Sequence, residues 1–140
     1  MKYGDDVVEE GNDFNKARRP SYTENEVYVR RPDGEGYRVL DSYNPREEIV
    51  SRKHTQLGDV KEQTAIDNLR ELSNKYPPGT EIADVPSTSP GLKGRELEGK
   101  MFLEVPVQTK PIPKSVLEEA NRLRIRIRDV DGRIYNSAGR

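Results

Sequence analysis

Cysteine and tryptophan are both missing from this chain of 140 residues, and histidine occurs once, at His54. Without cysteine there is no disulfide scaffold, zinc finger, iron–sulfur site or thiol nucleophile. A lone imidazole also excludes a multi-histidine metal cage and a two-histidine ribonuclease. Apolar residues are scarce, at 31% of the chain, and the mean hydropathy is -0.98, so any core is small. No apolar run approaches the roughly 20 residues that span a bilayer, and no membrane association is expected. The start, Met1 to Asp6, does not lead into an apolar segment of the kind a secretory signal needs. Chemistry here has to come from carboxylates, Lys, Arg, Tyr, Ser and one His.

What the chain does have is charge, 35% of its residues, nearly balanced at a net -1 but unevenly spread. Residues 1–26 carry seven acids against four bases, whereas residues 110–140 carry eight bases against four acids. The basic excess at the C-terminal end points to a polyanion-facing surface, with a solvated charged face as the plainer reading.

Residues 1–26 show no hydrophobic period and are read as a flexible leader or linker, with a short helix near 13–18 at most. A single domain is expected over 27–136, with 137–140 as a tail. Val27–Arg30, Tyr37–Tyr43 and Glu48–Leu57 read as strands, separated by the turn sequences Pro32-Asp33-Gly34 and Asn44-Pro45-Arg46-Glu47. The period then changes. Between Asp59 and Tyr76, Val60, Ala65, Ile66, Leu69 and Leu72 recur at helical spacing, with Asp59 and Glu62 placed as a capping box and Pro77-Pro78-Gly79 as the stop. Thr80–Val85 is a short strand candidate and Pro86–Gly99 a long exposed loop. Met101–Val107 is the most strand-like run. A second helix follows Pro113, with Ser115 as its cap, and the chain closes on Arg124–Val130, an Asp131-Gly132 turn and Arg133–Tyr135. The expected class is α+β with a mixed central sheet, in the order β-β-β-α-β-α-β-β.

If residues 44–48 form the second turn, Tyr43 pairs with Ile49, which sets Asp41 opposite Ser51 and Val39 opposite Lys53. Opposed residues share a face, so Asp41, Ser51 and Lys53 would cluster on one side of the ribbon. A carboxylate able to hold Mg²⁺ beside a cation able to orient water is what phosphodiester hydrolysis needs. Arg124, Arg126 and Arg128 alternate with Ile125 and Ile127 and, with Arg122, form a row suited to gripping phosphate oxygens.

This strand order and these residues resemble the restriction-endonuclease-like nucleases, whose usual signature is an Asp on one strand and Asp/Glu-x-Lys on the next. Ser51 stands where the second acid belongs. The resemblance implies a Ser-x-Lys variant with the acid moved to the following helix, where Glu62 is the candidate, so that Asp41 and Glu62 would hold Mg²⁺ or another divalent cation. Gln56 has precedent there as an auxiliary polar residue, although alternation places it on the opposite face. The runs Val39-Leu40-Asp41-Ser42-Tyr43-Asn44-Pro45 and Glu48–Leu57 also look like the C-terminal toxin modules of large bacterial polymorphic, contact-dependent toxins. So do Leu103-Glu104-Val105-Pro106-Val107-Gln108 and Ile127-Arg128-Asp129-Val130. That resemblance implies a nuclease, with DNA favoured over RNA, secreted as part of a larger effector. It would act in a target-cell cytoplasm during interbacterial competition and be neutralised by a cognate immunity protein, expected to be acidic.

Each residue has a plainer reading. Asp41 precedes a turn, where Asp forms local hydrogen bonds; Lys53 is a solvent-facing strand charge; Glu62 is a cap. His54 is the general base of a metal-independent RNase, acting with Lys53 or Arg52, or an ordinary surface residue. The arginine row is a charged edge that resists aggregation. Glu104, inside an apolar strand, is either a further metal ligand or the partner of a late arginine. A non-catalytic binding module is the remaining alternative.

Overall fold

The computed structural model describes residues 11–137. Residues 11–18 are helical (α1) and lead through a 3₁₀ turn, Arg19–Ser21, into strand β1, Glu24–Arg30. Strands β2 (Tyr37–Asn44) and β3 (Glu48–Arg52) follow, then helix α2 (Glu62–Lys75), strand β4 (Lys100–Val105), helix α3 (Lys114–Leu123) and strand β5 (Ile125–Asp129). The fold is α+β. Its five strands lie in sequence order, β1 to β3 antiparallel and β3 to β5 parallel, because each parallel step is spanned by a crossover helix. Among the described residues no helix is long and apolar enough to cross a membrane.

The turn between β2 and β3 follows from its residues. Pro45 supplies a turn-ready φ, Arg46 takes the left-handed conformation at φ 69°, and the Glu47 N–H donates to the Asn44 carbonyl at 2.9 Å. Tyr43 therefore pairs with Ile49, as the turn length requires. Gly99 allows β4 to start against this turn, since a Cβ there would lie 2.6 Å from the Glu47 carbonyl carbon.

Alternation sorts the sheet into two faces. Ile49, Met101, Leu103, Val105, Ile125 and Ile127 join the main core beneath α2 and α3, which add Ala65, Leu69, Leu72, Val116 and Ala120. The opposite face carries Val50 and Phe102, packed on Tyr22, with Arg52, Glu104, Arg126 and Arg128 around them.

Several expected boundaries move. The first ten residues of the proposed leader lie outside the described residues, while 11–26 form α1, the 3₁₀ turn and the start of β1, held because Tyr22 is buried on the second face. The third strand ends at Arg52 rather than Leu57: the Thr55 N–H turns back to the Lys53 carbonyl, and Leu57 docks on Gln108. Helix α2 begins at Glu62 with Lys61 at the cap position, so the Asp59–Glu62 capping box does not form; Asp59 pairs with Lys110 instead. Ser115 is likewise no cap, for Pro113 holds that position. The 86–99 loop is not merely exposed, since Leu92 and Leu97 seal the core beside Val27, Val29 and Leu40. Thr80–Val85 and Arg133–Tyr135 contribute isolated bridges, Val29 to Ile82 and Arg128 to Ile134, rather than full strands. The eight-element order thus reduces to β-β-β-α-β-α-β after α1. Asn136 completes the β5 edge by accepting the Ile127 N–H and donating to the Ile125 carbonyl.

Candidate active site

The β2–β3 ladder stops at the Ser42–Val50 pair, and the candidate residues gather where the two strands part. One position further on, the Asp41 carboxylate takes the Arg52 N–H through Oδ2 at 2.7 Å, replacing a ladder bond. Lys53 continues the pairing on the other side, its N–H donating to the Glu104 carbonyl at 3.0 Å. Its side chain falls on the α2 face, with Nζ 3.6 Å from Glu71 Oε1. The Tyr76 hydroxyl donates to the Val39 carbonyl at 2.8 Å, covering the β2 edge that β3 has left. Burial raises the Asp41 carboxyl above its usual value, opposed by the Arg52 N–H and by the positive charges of Arg52 and Lys53. Burial, followed by the charges of Asp41 and Glu71, pushes the Tyr76 phenol up to about 12. The charges of Lys53 and Glu71 are thus felt at Asp41 and Tyr76 respectively, and Lys53 and Glu71 pair directly.

The other sequence candidates are placed differently. Ser51 is buried on the same face, in register with Leu103. Gln56 is used to join loops: its amide donates to the Val107 carbonyl at 2.9 Å and its oxygen accepts the Thr109 N–H at 2.9 Å. Glu62 does not reach Asp41 or Lys53. It opens α2 and accepts a hydrogen bond from Ser115 of α3. Glu71, nine residues and about 13 Å further along the helix, is the acid beside Lys53. The reason is the 53–61 loop, which docks on 107–111 and so decides which turn of α2 lies beside the strand. His54 is exposed and points to the other side, its ring 5.0 Å from that of Phe14 in α1. Lys53 faces α2, and Arg52 is committed to Glu104. Neither proposed partner of a His54 base is available to it.

On the second face Glu104 is fully buried and is the hub of a polar network. It accepts hydrogen bonds from Arg52 Nε at 2.7 Å, from Arg18 at 3.2 Å and from the Tyr22 hydroxyl. Burial pushes its carboxyl up, but these three donors outweigh that and hold it below the usual range. Arg52 also donates to Ser42 at 2.7 Å, and Arg128 reaches Tyr22 at 3.0 Å and pairs with Glu48. Glu104 is thus an ion-pair acid, and its charged partners are Arg18 and Arg52 rather than a late arginine. Sequence reasoning missed these partners; an acid inside an apolar strand was the one available signal.

The arginine row does not survive as a row. Arg122 lies on α3, clamped with Arg70 onto Glu119, which these hydrogen bonds lower to about 2. Arg124 is the left-handed C-cap of α3, at φ 60°. Only Arg126 and Arg128 project from β5, over Phe102 at 5.8 and 4.0 Å, on the face opposite Asp41 and Lys53. The sheet therefore separates them from Lys53.

Among the described residues no group of three or more His, Cys, Asp or Glu side chains is arranged to hold a metal. The carboxylates nearest Lys53 are Asp41, whose Oδ1 takes no hydrogen bond from a described residue, and Glu71, whose Oε1 also lies 3.5 Å from Lys75 Nζ. Two hard oxygen donors suit Mg²⁺, which is commonly held by one or two carboxylates and completes its shell with water. Comparison of the chain with protein-family models, with curated proteins and with solved structures finds no match.

Proposed function

We propose that this chain is a metal-dependent endonuclease with DNA as its favoured substrate, built on a restriction-endonuclease-like core. In this reading it is the toxic C-terminal module of a secreted bacterial effector that acts in the target-cell cytoplasm. The observation that carries the reading is the grouping of Asp41, Lys53 and Glu71 where β2 and β3 part. Three antiparallel strands, a helix and a parallel fourth strand support the core assignment. A divalent cation such as Mg²⁺, held by Asp41 and Glu71, would polarise the phosphate and acidify an attacking water. Lys53 orients that water and offsets charge developing on the phosphoryl oxygens. Asp41 is fixed through Oδ2 by the Arg52 N–H, which leaves Oδ1 to bind the cation, and Ser51 lies on the same face. A cognate immunity protein with an acidic contact face belongs to the same reading; its signal is the basic excess of residues 110–140, of which Lys110, Lys114, Arg122 and Arg128 are already paired within the chain.

The test is incubation of the purified chain with plasmid DNA and with total RNA, in Mg²⁺ and in EDTA. DNA cleavage in Mg²⁺ that EDTA abolishes, and that Lys53→Ala abolishes, is the expected result. Cleavage of neither substrate would overturn the reading. Activity that survives EDTA and is lost in His54→Ala would replace it with a metal-independent RNase.

A further inference from the structure

The face of β2 that carries Asp41 also carries Val39 and Tyr37, at two and four residues' distance, or about 7 and 14 Å along the strand. Pairing with β1 adds Tyr28 opposite Val39 and Arg30 opposite Tyr37. Tyr37 and Val39 are 48% and 41% exposed, among the few large apolar groups left in solvent. The Tyr28 and Tyr37 rings meet edge to face, with centroids 6.4 Å apart. Exposure falls along β2 toward Asp41, which is half-buried, and Tyr43, which is core. The stripe is therefore an open aromatic track that ends at the candidate site.

We infer that this track is a stacking platform for unpaired nucleobases, so that the strand presented to Asp41 and Lys53 is single-stranded or locally unwound. The inference rests on the nuclease reading and names its substrate class. Aromatic faces stack on bases of any sequence, but only where those bases are not already stacked and paired within a duplex. A duplex would be held mainly through its phosphates, by free cations. Here two of the neighbouring arginines are paired, Arg30 with Glu81 and Arg31 with Asp33, which leaves Arg38 as the one cation of β2 without an ion pair among the described residues. The surface offers rings rather than a basic groove, and it is continuous with the site.

The test is binding rather than cleavage, so that it stands apart from the nuclease reading. The full chain, in EDTA, is titrated by fluorescence anisotropy with a short labelled single-stranded DNA and with the same strand annealed to its complement. The single strand is expected to bind at least about tenfold more tightly than the duplex. Tyr37→Ala should weaken single-strand binding about tenfold, leaving duplex binding unchanged, and Tyr37→Phe should retain it. Tyr37 is exposed, and an unchanged Tm for both variants checks that they fold. Equal affinity for the two probes, or unaltered single-strand binding in Tyr37→Ala, overturns the inference even if the chain cuts DNA. The expected binding without any cleavage in Mg²⁺ leaves the platform standing and removes the nuclease reading. A dimer that Tyr37→Ala converts to monomer would assign the face to a second copy and overturn the inference.

Discussion

Arg52 Nε lies 2.7 Å from Glu104 Oε1, with both side chains essentially removed from solvent. Arg52 is the strand neighbour of the candidate catalytic Lys53, and its own N–H is the donor that fixes Asp41. One residue therefore ties the site on one face of the sheet to the buried network on the other.

Removing the acid strands three donors. Glu104→Ala leaves Arg52, Arg18 and the Tyr22 hydroxyl without their acceptor, and breaking a buried pair in this way typically costs about 3–5 kcal/mol. The measurement is urea denaturation monitored by circular dichroism. A loss below about 1 kcal/mol would show that α1 and Tyr22 are not held by this network.

The same carboxyl predicts an acid limb. Its folded-state value lies below the unfolded one, so the native chain binds fewer protons and stability rises with pH. That contribution is complete above the ordinary Glu range and is lost as pH falls through the lower folded value. The Tm of the wild type should drop on acidification through and below that range. Glu104→Gln, less stable at neutral pH, should show a shallower drop; parallel curves would count against the assignment.

Asp41 has the opposite sign. Burial raises its folded value, so its contribution is present below the unfolded value and is lost as pH rises through the raised one. Asp41→Asn keeps an oxygen to accept the Arg52 N–H and removes a disfavoured charge. The variant is expected to match or exceed wild-type Tm at neutral pH while losing nuclease activity. A clear fall in Tm would mean that the carboxylate charge stabilises the fold.

Lys53, Glu71 and Glu62 separate the two candidate acid positions. Lys53 and Glu71 are both partly exposed, and such pairs contribute about 0–1 kcal/mol, so Lys53→Ala, Lys53→Arg and Glu71→Gln should fold normally. Their cleavage rates should fall by about 10²–10³, Arg failing because its planar group does not replace a compact ammonium. Glu62→Gln should keep wild-type activity. If Glu62→Gln is dead and Glu71→Gln active, the helix acid is the one expected from sequence, and the geometry at Lys53 is not the active one.

Local rules carry much of this fold. Asn44-Pro45-Arg46-Glu47 determines the turn and the turn determines the Tyr43–Ile49 register, but the ladder ends at Ser42–Val50, so the expected Asp41–Ser51 and Val39–Lys53 pairs do not form. The 3.6-residue period of Ala65, Leu69 and Leu72 marks α2, and Pro77-Pro78-Gly79 marks its end. Each of these depends on residues a few positions apart. The tertiary structure decided which distant groups meet. Glu104 finds Arg18 across 86 positions, Tyr22 across 82 and Arg52 across 52, so the apparent leader becomes part of the sheet's second layer. The choice of Glu71 over Glu62 depends on how the 53–61 loop docks on 107–111, and a helical period is blind to where along its axis a helix passes a strand. The arginine row divides for a similar reason: Arg124 takes the left-handed cap that ends α3, a backbone requirement that alternation alone does not reveal. Sequence pattern sets faces and registers because backbone geometry repeats over a few residues; pairing across the fold depends on packing every element at once.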